Sequence, residues 1–247
     1  MRERVTIFGA TSAIAVEVAR AYAGRGALLY LVGRNPTKLG TLVAELGAAC
    51  VGSRVADLTE TANSEELVQQ AVATLGGLDV ALIAQGLLGD QRASERDASE
   101  ARQIFDTNLL SVVALVIPLA NHFESGGAGH LVVLGSVAGE RGRPRNYTYG
   151  AAKGALNVYL QGVRARLGGR GVGVHMIKLG PVDTPMTVDH EKTFLFARPP
   201  GVASAIVRAV DAGRTEAYVP WFWWFIMGVV RRVPDRLFRR IRALQAR

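Results

Sequence analysis

Cysteine is almost absent from this chain. Cys50 stands alone, so no intrachain disulfide can form; a reducing compartment is expected, with Cys50 as a small core residue. Histidine is scarce too. His122, His130, His175 and His190 are scattered without metal-ligand spacing, so no metal centre is expected. No low-complexity stretch, internal repeat or linker interrupts the sequence before Tyr218. At 49% hydrophobic and 20% charged residues, the composition excludes disorder. The N-terminus does not read as a secretory signal, because Glu3, Glu17 and Arg20 break its apolar stretch. What remains fits one large domain, 1–218, followed by a C-terminal tail, 219–247.

The charge is uneven. The net value is +8, and from Arg231 to Arg247 there are seven arginines against one aspartate, so six of the eight excess charges lie there. The rest is close to neutral. A basic tail points to an anionic surface, whereas a domain basic throughout would have pointed to nucleic acid, which is not an expected partner.

Two kinds of segment alternate. Val5–Phe8, Ala27–Val32, Val51–Val55, Asp79–Ala84, His130–Leu134 and Val172–Leu179 are short apolar runs and read as strands buried on both faces. Between them, Ile14–Gly24, Pro36–Leu46, Glu65–Leu75 and Ala155–Leu167 carry helical periodicity, and Asp90–Gln103 reads as loop entering a helix. This order predicts an α/β fold: a single doubly wound Rossmann-type domain, with a parallel sheet of about seven strands flanked by helices.

The first strand runs into Gly9-Ala-Thr-Ser-Ala13-Ile14-Ala15 and then a helix. A helix N-terminus at the carboxyl end of a parallel strand offers free amides to a pyrophosphate. Only one glycine is present, however, and an ordinary strand-to-helix turn reads the same way. The second strand ends at Gly33-Arg34 rather than at a carboxylate. Arg34 either pairs with a 2′-phosphate, which favours NADP(H) over NAD(H), or is a solvated charge. Asp57 either accepts a hydrogen bond from adenine or caps the next helix.

Tyr149 and Lys153 are four residues apart, which puts them on one face of a helix. An ammonium beside a phenol is expected to lower its pKa, so that the pair can exchange a proton with a carbonyl oxygen. Ser136, at the end of a strand, can hydrogen-bond the same oxygen. Taken alone, the pair reads equally as a buried tyrosine beside a surface lysine.

From Val5 to Tyr218 the chain resembles the short-chain dehydrogenase/reductase family. The resemblance is carried by Gly9-Ala-Thr-Ser, Asp57-Leu58, Thr107-Asn108-Leu109, Gly135-Ser136-Val-Ala-Gly139, Tyr149 with Lys153, and Gly180-Pro181-Val182-Asp183-Thr184. It implies Tyr149 as acid/base and Ser136 as binder of the substrate oxygen. It implies Lys153 as partner of the nicotinamide ribose and Asn108 as holder of a water leading to solvent. Its cofactor contacts would be Gly9, Thr11, Ser12, Ala13, Ile14, Arg34, Asp57, Leu58, Gln85, Gly86, Tyr149, Lys153, Pro181, Val182 and Thr184. The family also implies a homodimer or homotetramer, formed through the helices carrying Asn108 and Tyr149. Three departures stand out: Ala13 and Ala15 in the glycine-rich turn, Ile83-Ala84-Gln85-Gly86 in place of Asn-Asn-Ala-Gly, and Leu179 in place of proline.

Val219–Val230 carries three tryptophans and two phenylalanines among twelve uncharged residues, too short to span a bilayer at about twenty residues. Aromatics followed by arginines describe an interfacial segment, with Leu237, Phe238 and Ile241 alternating with arginines as a short amphipathic helix. The alternatives are packing on its own domain or a twin subunit, and nucleic acid. Gly86–Asp90, Ala138–Arg141 running to Tyr149, and the segment Pro220–Phe238 are similar to the decaprenylphosphoryl-β-D-erythro-pentofuranosid-2-ulose 2-reductase-like members of the family. That likeness implies a lipid-linked keto-sugar as the carbonyl substrate; the alternatives are a soluble reductase of a 3-oxoacyl thioester or small ketone, with the tail used for oligomerisation, and a non-catalytic nucleotide-binding scaffold. It also implies a cytoplasmic protein peripheral on the inner face of the membrane. Lys192, Phe194, Phe196 and Arg198 belong to the expected lid, Pro185–Pro200.

Overall fold

The computed structural model describes residues 2–188 and 193–240. One parallel sheet contains β1 (Arg4–Phe8), β2 (Leu28–Gly33), β3 (Cys50–Val55), β4 (Val80–Ile83), β5 (Gly129–Ser136), β6 (Val172–Leu179) and β7 (Glu216–Val219), ordered β3-β2-β1-β4-β5-β6-β7. The helices are α1 (Ala13–Gly24), α2 (Pro36–Leu46), α3 (Ser64–Leu75), α4 (Gln91–Ser94), α5 (Ala98–Phe105), α6 (Ser111–Gly126), α7 (Tyr147–Leu167), α8 (Pro199–Asp211), α9 (Trp223–Arg232) and α10 (Asp235–Phe238). The expected doubly wound Rossmann-type architecture is present. Its strand order reverses between β1 and β4, where such sheets open a ligand crevice.

The period-two geometry of strands explains why the runs are apolar on both faces. Val5 and Ile7 of β1, Leu29 and Leu31 of β2, and Val80 and Leu82 of β4 enter one core, with α1, α2 and α8. Their neighbours Phe8, Tyr30, Val32, Ala81 and Ile83 enter the opposite core, with α3, α6 and α7. Each fully buried side chain of this size contributes about 1.5–3 kcal/mol. Ala98–Gly126 is long and apolar enough by composition to cross a membrane, yet Val112, Leu115, Val116, Leu119 and Phe123 are buried in this second core.

Several expectations need correction. β3 is not buried on both faces: it is the sheet edge, with Val51 40% and Val55 51% exposed. Cys50 on it is accordingly half-buried at the margin of the first core. The stretch Asp90–Gln103 contains two short helices, each capped by an aspartate: Asp90 accepts from the amides of Arg92 and Ala93, and Asp97 from that of Ser99. α7 starts at Tyr147 rather than Ala155. β7 carries only four residues, and the boundary drawn between Tyr218 and Val219 falls inside it.

The aromatic segment beyond β7 packs on its own domain with one face. Trp223 and Met227 are buried with Val137, and the indole of Trp223 lies directly over Gly180, where any Cβ would collide with it. Arg141 holds the far end. Its Nη1 donates to the carbonyl of Val230 at 2.7 Å and also to that of Val233, its Nη2 meets Asp235, and its guanidinium covers the Phe238 ring at 4.0 Å. The opposite face is open: Trp221 is 71%, Trp224 55%, Phe225 58% and Val229 67% exposed. Lys192, Ile241 and Arg242, assigned to the lid and to the last helix, lie outside the described residues.

Candidate active site

The crevice forms where β1 and β4 end. Gly9 adopts φ +75°, and a Cβ there would sit 2.6 Å from the amide nitrogen of Gln85, so the two strand ends touch only because residue 9 has no side chain. Ser12 caps α1, its hydroxyl accepting from the Ala15 amide at 3.2 Å. The remaining first amides, at Ala13 and Ile14, have no intrahelical partners by construction. Gln85 donates from Nε2 to Ser111 at 3.1 Å, while its Oε1 is buried without a partner. Free helix amides, a side-chain-free cradle and an orphaned acceptor together suit a dinucleotide, and Ala15, one of the two alanines of the turn, is buried in the first core.

Arg34 is exposed just beyond β2, and a Cβ on Gly33 would meet the Thr11 methyl at 3.1 Å. Asp57 neither caps a helix nor stands free. Its Oδ1 accepts from the amide and hydroxyl of Thr59 at 2.9 and 2.8 Å; those two bonds, with the nearby Arg34 charge, hold its carboxyl below the usual range. Leu58 is buried in the second core. After β6, Pro181 and Val182 pair with Ala197, and Thr184 caps the turn Pro185–Thr187. Phe194 is 93% exposed and Arg198 is exposed, whereas Phe196 is half-buried.

Ser136 closes β5 at the same end of the sheet, and α7 crosses the turn Val137–Glu140 backbone to backbone. A Cβ on Gly150 would stand 2.8 Å from the carbonyl of Ala138, and one on Gly154 2.8 Å from that of Gly139. Small residues on this stretch of α7 therefore bring Tyr149 to Ser136. They also explain why no apolar periodicity marks the first turns of that helix. Upstream, the amide of Thr148 donates to Gln91 and its hydroxyl pairs with Ser94, both at 3.0 Å, fixing the helix start. No spacing in the sequence signals these two contacts.

Lys153 and Tyr149 are neighbours, with Nζ 5.9 Å from the phenol ring centroid. The electrostatics differ from expectation. Burial pushes the Tyr149 hydroxyl above its ordinary pKa, opposed by its hydrogen bond with Ser136 rather than by Lys153. Burial also pulls the Lys153 ammonium down to about 8. Burial is the physical reason in both cases; Nζ itself donates to the carbonyl of Leu134 at 3.0 Å. Ser136 Oγ meanwhile accepts from the Ala138 amide at 3.1 Å.

Asn108 is fully buried in a π-turn, Asp106–Leu110, between α5 and α6. Single π-turns of this kind are frequent at functional sites. Its Nδ2 donates to the carbonyls of Leu87 and Ile104 at 2.7 and 2.8 Å, and its Oδ1 accepts from the Leu87 amide at 3.1 Å. It thereby pins the segment Gly86-Leu87 beside Lys153.

A second polar cluster, not foreseen, lies behind Ser136. Glu140 and Lys178 pair at 2.7 Å with both side chains 3% exposed; Tyr218 donates to Glu140, and Glu216 meets Lys178 at 2.9 Å.

The chain is similar to known proteins. The family model for short chain dehydrogenase matches residues 3–194. An uncharacterized oxidoreductase of Mycobacterium tuberculosis is 36% identical over 96% of each chain. The ketoacyl reductase HetN of Nostoc is 31% identical over 87% of this chain and 77% of its own. A solved short chain dehydrogenase/reductase family protein superposes with a TM-score of 0.78 at 26% identity, over 88% of this chain and 95% of that one. With that match covering most of the sequence, the chain belongs to the short-chain dehydrogenase/reductase family and is an NAD(P)-dependent oxidoreductase.

Proposed function

We propose that the protein is an NADPH-dependent carbonyl reductase acting on a 2-keto sugar carried by a polyprenyl phosphate, at the cytoplasmic face of an anionic membrane. The observation that carries the reductase reading is the meeting of Ser136, Tyr149 and Lys153 next to the cradle of Gly9 and Gln85. Residues Gly9, Thr11–Ile14, Leu58, Gln85, Gly86, Pro181, Val182 and Thr184 would hold the dinucleotide, and Arg34 would pair with a 2′-phosphate. Bound there, the nicotinamide supplies the hydride. Tyr149 gives its proton to the substrate oxygen. Ser136, already accepting from the Ala138 amide, donates its own hydrogen to that oxygen. Lys153 restores the phenol proton and orients the ribose, and Asn108 leads the proton onward through a water.

The lipid-linked substrate is supported by the open face of α9. Trp221, Trp224, Phe225 and Val229 are exposed there, followed by exposed Arg231, Arg232, Arg236, Arg239 and Arg240. Rings at headgroup depth with guanidinium groups on phosphates suit an anionic interface. Leu110 and Ile117 near and on α6, with Val158 on α7, are exposed apolar residues that suit the homodimer or homotetramer of the family.

The test is NADPH oxidation with a polyprenylphosphoryl 2-ketopentose beside a 3-oxoacyl thioester. Turnover of the sugar lipid, with NADPH preferred to NADH, is expected. Turnover of the thioester alone would transfer the protein to a second reading, favoured by the name of HetN, in which it reduces 3-oxoacyl groups. Removing the tail would strip Trp223 and Met227 from the core, so the membrane role is tested on its outer face. Trp221→Ser with Trp224→Ser and Phe225→Ser should release the protein from anionic liposomes, and undiminished binding would end that role.

A further inference from the structure

We propose that Arg143 is the binding group for a phosphoryl anion on the substrate, making the loop between Ser136 and Tyr149 a phosphate-reading segment. Three arginines in this loop meet three different fates. Arg141 is fully engaged by Asp235, two carbonyls and the Phe238 ring. Arg145 is exposed. Arg143 is neither: its Nε is sealed from solvent with no acceptor, and among the described residues no carboxylate forms an ion pair with its guanidinium. Three residues on, Asn146 Oδ1 is also buried with no donor.

A charge withdrawn from water without a partner is costly, and natural folds remove it or pair it. Here burial, reinforced by repulsion from Arg145, weakens the hold of Arg143 on its proton. The acid that opens this loop and the one held by Arg141 have cationic partners already: Glu140 pairs with Lys178 and accepts from Tyr218, and Asp235 pairs with Arg141. A planar, permanently charged fork left unmatched is suited to a tetrahedral oxyanion, which it grips with two parallel hydrogen bonds. The orphaned oxygen of Asn146 then accepts from a hydroxyl of the same ligand.

The loop's two ends say where that anion lies. One end, through Arg141, is fastened to α9, whose far face is open and aromatic. The other runs directly into Tyr149. A ligand whose reacting carbonyl lies at Tyr149 and whose lipid lies toward α9 places its phosphoryl group between them. This last step rests on the proposed substrate, whereas the anion preference does not.

The experiment uses the full chain saturated with NADPH, so that the cofactor's own phosphates are already bound, and measures binding of geranyl phosphate, geraniol and inorganic phosphate. Wild type should bind geranyl phosphate at least about tenfold more tightly than geraniol, as a charge-assisted pair requires. Arg143→Gln should erase that preference, Arg143→Lys should keep part of it, and Arg145→Gln should keep most. Because the substitution removes an unpaired buried charge, Arg143→Gln should also melt a few degrees higher than wild type. Inorganic phosphate binding as tightly as geranyl phosphate would identify a free-phosphate site instead of a lipid one. An unchanged geranyl phosphate preference in Arg143→Gln, or none in wild type, overturns the proposal. Failure of the reductase reading is distinguishable, since it would leave the phosphate preference intact while no carbonyl is turned over.

Discussion

The two halves of the sheet finish their polar groups to different degrees. In the nucleotide half, from β1 to β4, Ser12 caps its helix, Asp57 closes on Thr59, and only Gln85 keeps a buried atom without a partner. In the substrate half, Glu140, Arg143, Asn146, Asn157 and Trp223 each leave one. Buried polar atoms are normally satisfied, so orphans concentrate where a ligand or partner completes the structure. The difference teaches that the nucleotide end is nearly finished by the chain itself, while the substrate end is completed by what it binds.

Substitutions can break or sharpen that division. The largest effect is expected from Tyr149→Phe. It removes the proton donor and should lower turnover by roughly 10²–10⁴-fold while NADPH affinity, read by fluorescence titration, holds. A fully active variant would dissolve the contrast between the halves. Next is Glu140→Ala, which leaves the buried Lys178 with the half-buried Glu216 alone and takes the acceptor from Tyr218; urea unfolding should show a loss of about 3 kcal/mol. A loss below 0.5 kcal/mol, on the order of an ordinary surface change, would mean the cluster is not structural. Gly9→Val forces a branched side chain onto φ +75° and against Gln85; NADPH affinity should fall by roughly 100-fold, with the melting temperature showing whether the loss is local.

The smallest effect has the opposite sign. An amine whose pKa falls from 10.5 to about 8 on folding binds fewer protons in the folded state. Its penalty is therefore complete below pH 8 and disappears as pH climbs from about 8 to 10.5. Lys153→Met should stabilise the cofactor-free protein at pH 7 by roughly 1 kcal/mol, after allowing for the lost bond to Leu134, while abolishing turnover. That advantage should shrink at pH 10, and a gap that widens there would reverse the assignment.

The sequence disclosed the parallel sheet because strands buried on both faces must be apolar at every position. It offered Tyr149 and Lys153 through their four-residue spacing on one helix face, but they and Ser136, at a strand end, took on roles only through the family resemblance. It concealed the first turns of α7, where Gly150 and Gly154 replace apolar residues to let two backbones touch. It misjudged β3, whose valines face outward at the sheet edge. The inner face of α9 was equally hidden: Trp223 and Trp224 are adjacent in sequence, yet only the contact with Gly180, more than forty residues away, decides which of them is buried. A depression of the phenol's pKa was expected from proximity alone, whereas burial of the hydroxyl raises it.

The crossing of α7 over the turn after β5 has one more consequence. With no methyl group between the carbonyls of Ala138 and Gly139 and the helix, the span separating serine from tyrosine is set by main-chain atoms in van der Waals contact, the least compressible gauge a protein possesses. Substrates of different bulk can come and go without altering that distance, so the chemistry stays in calibration.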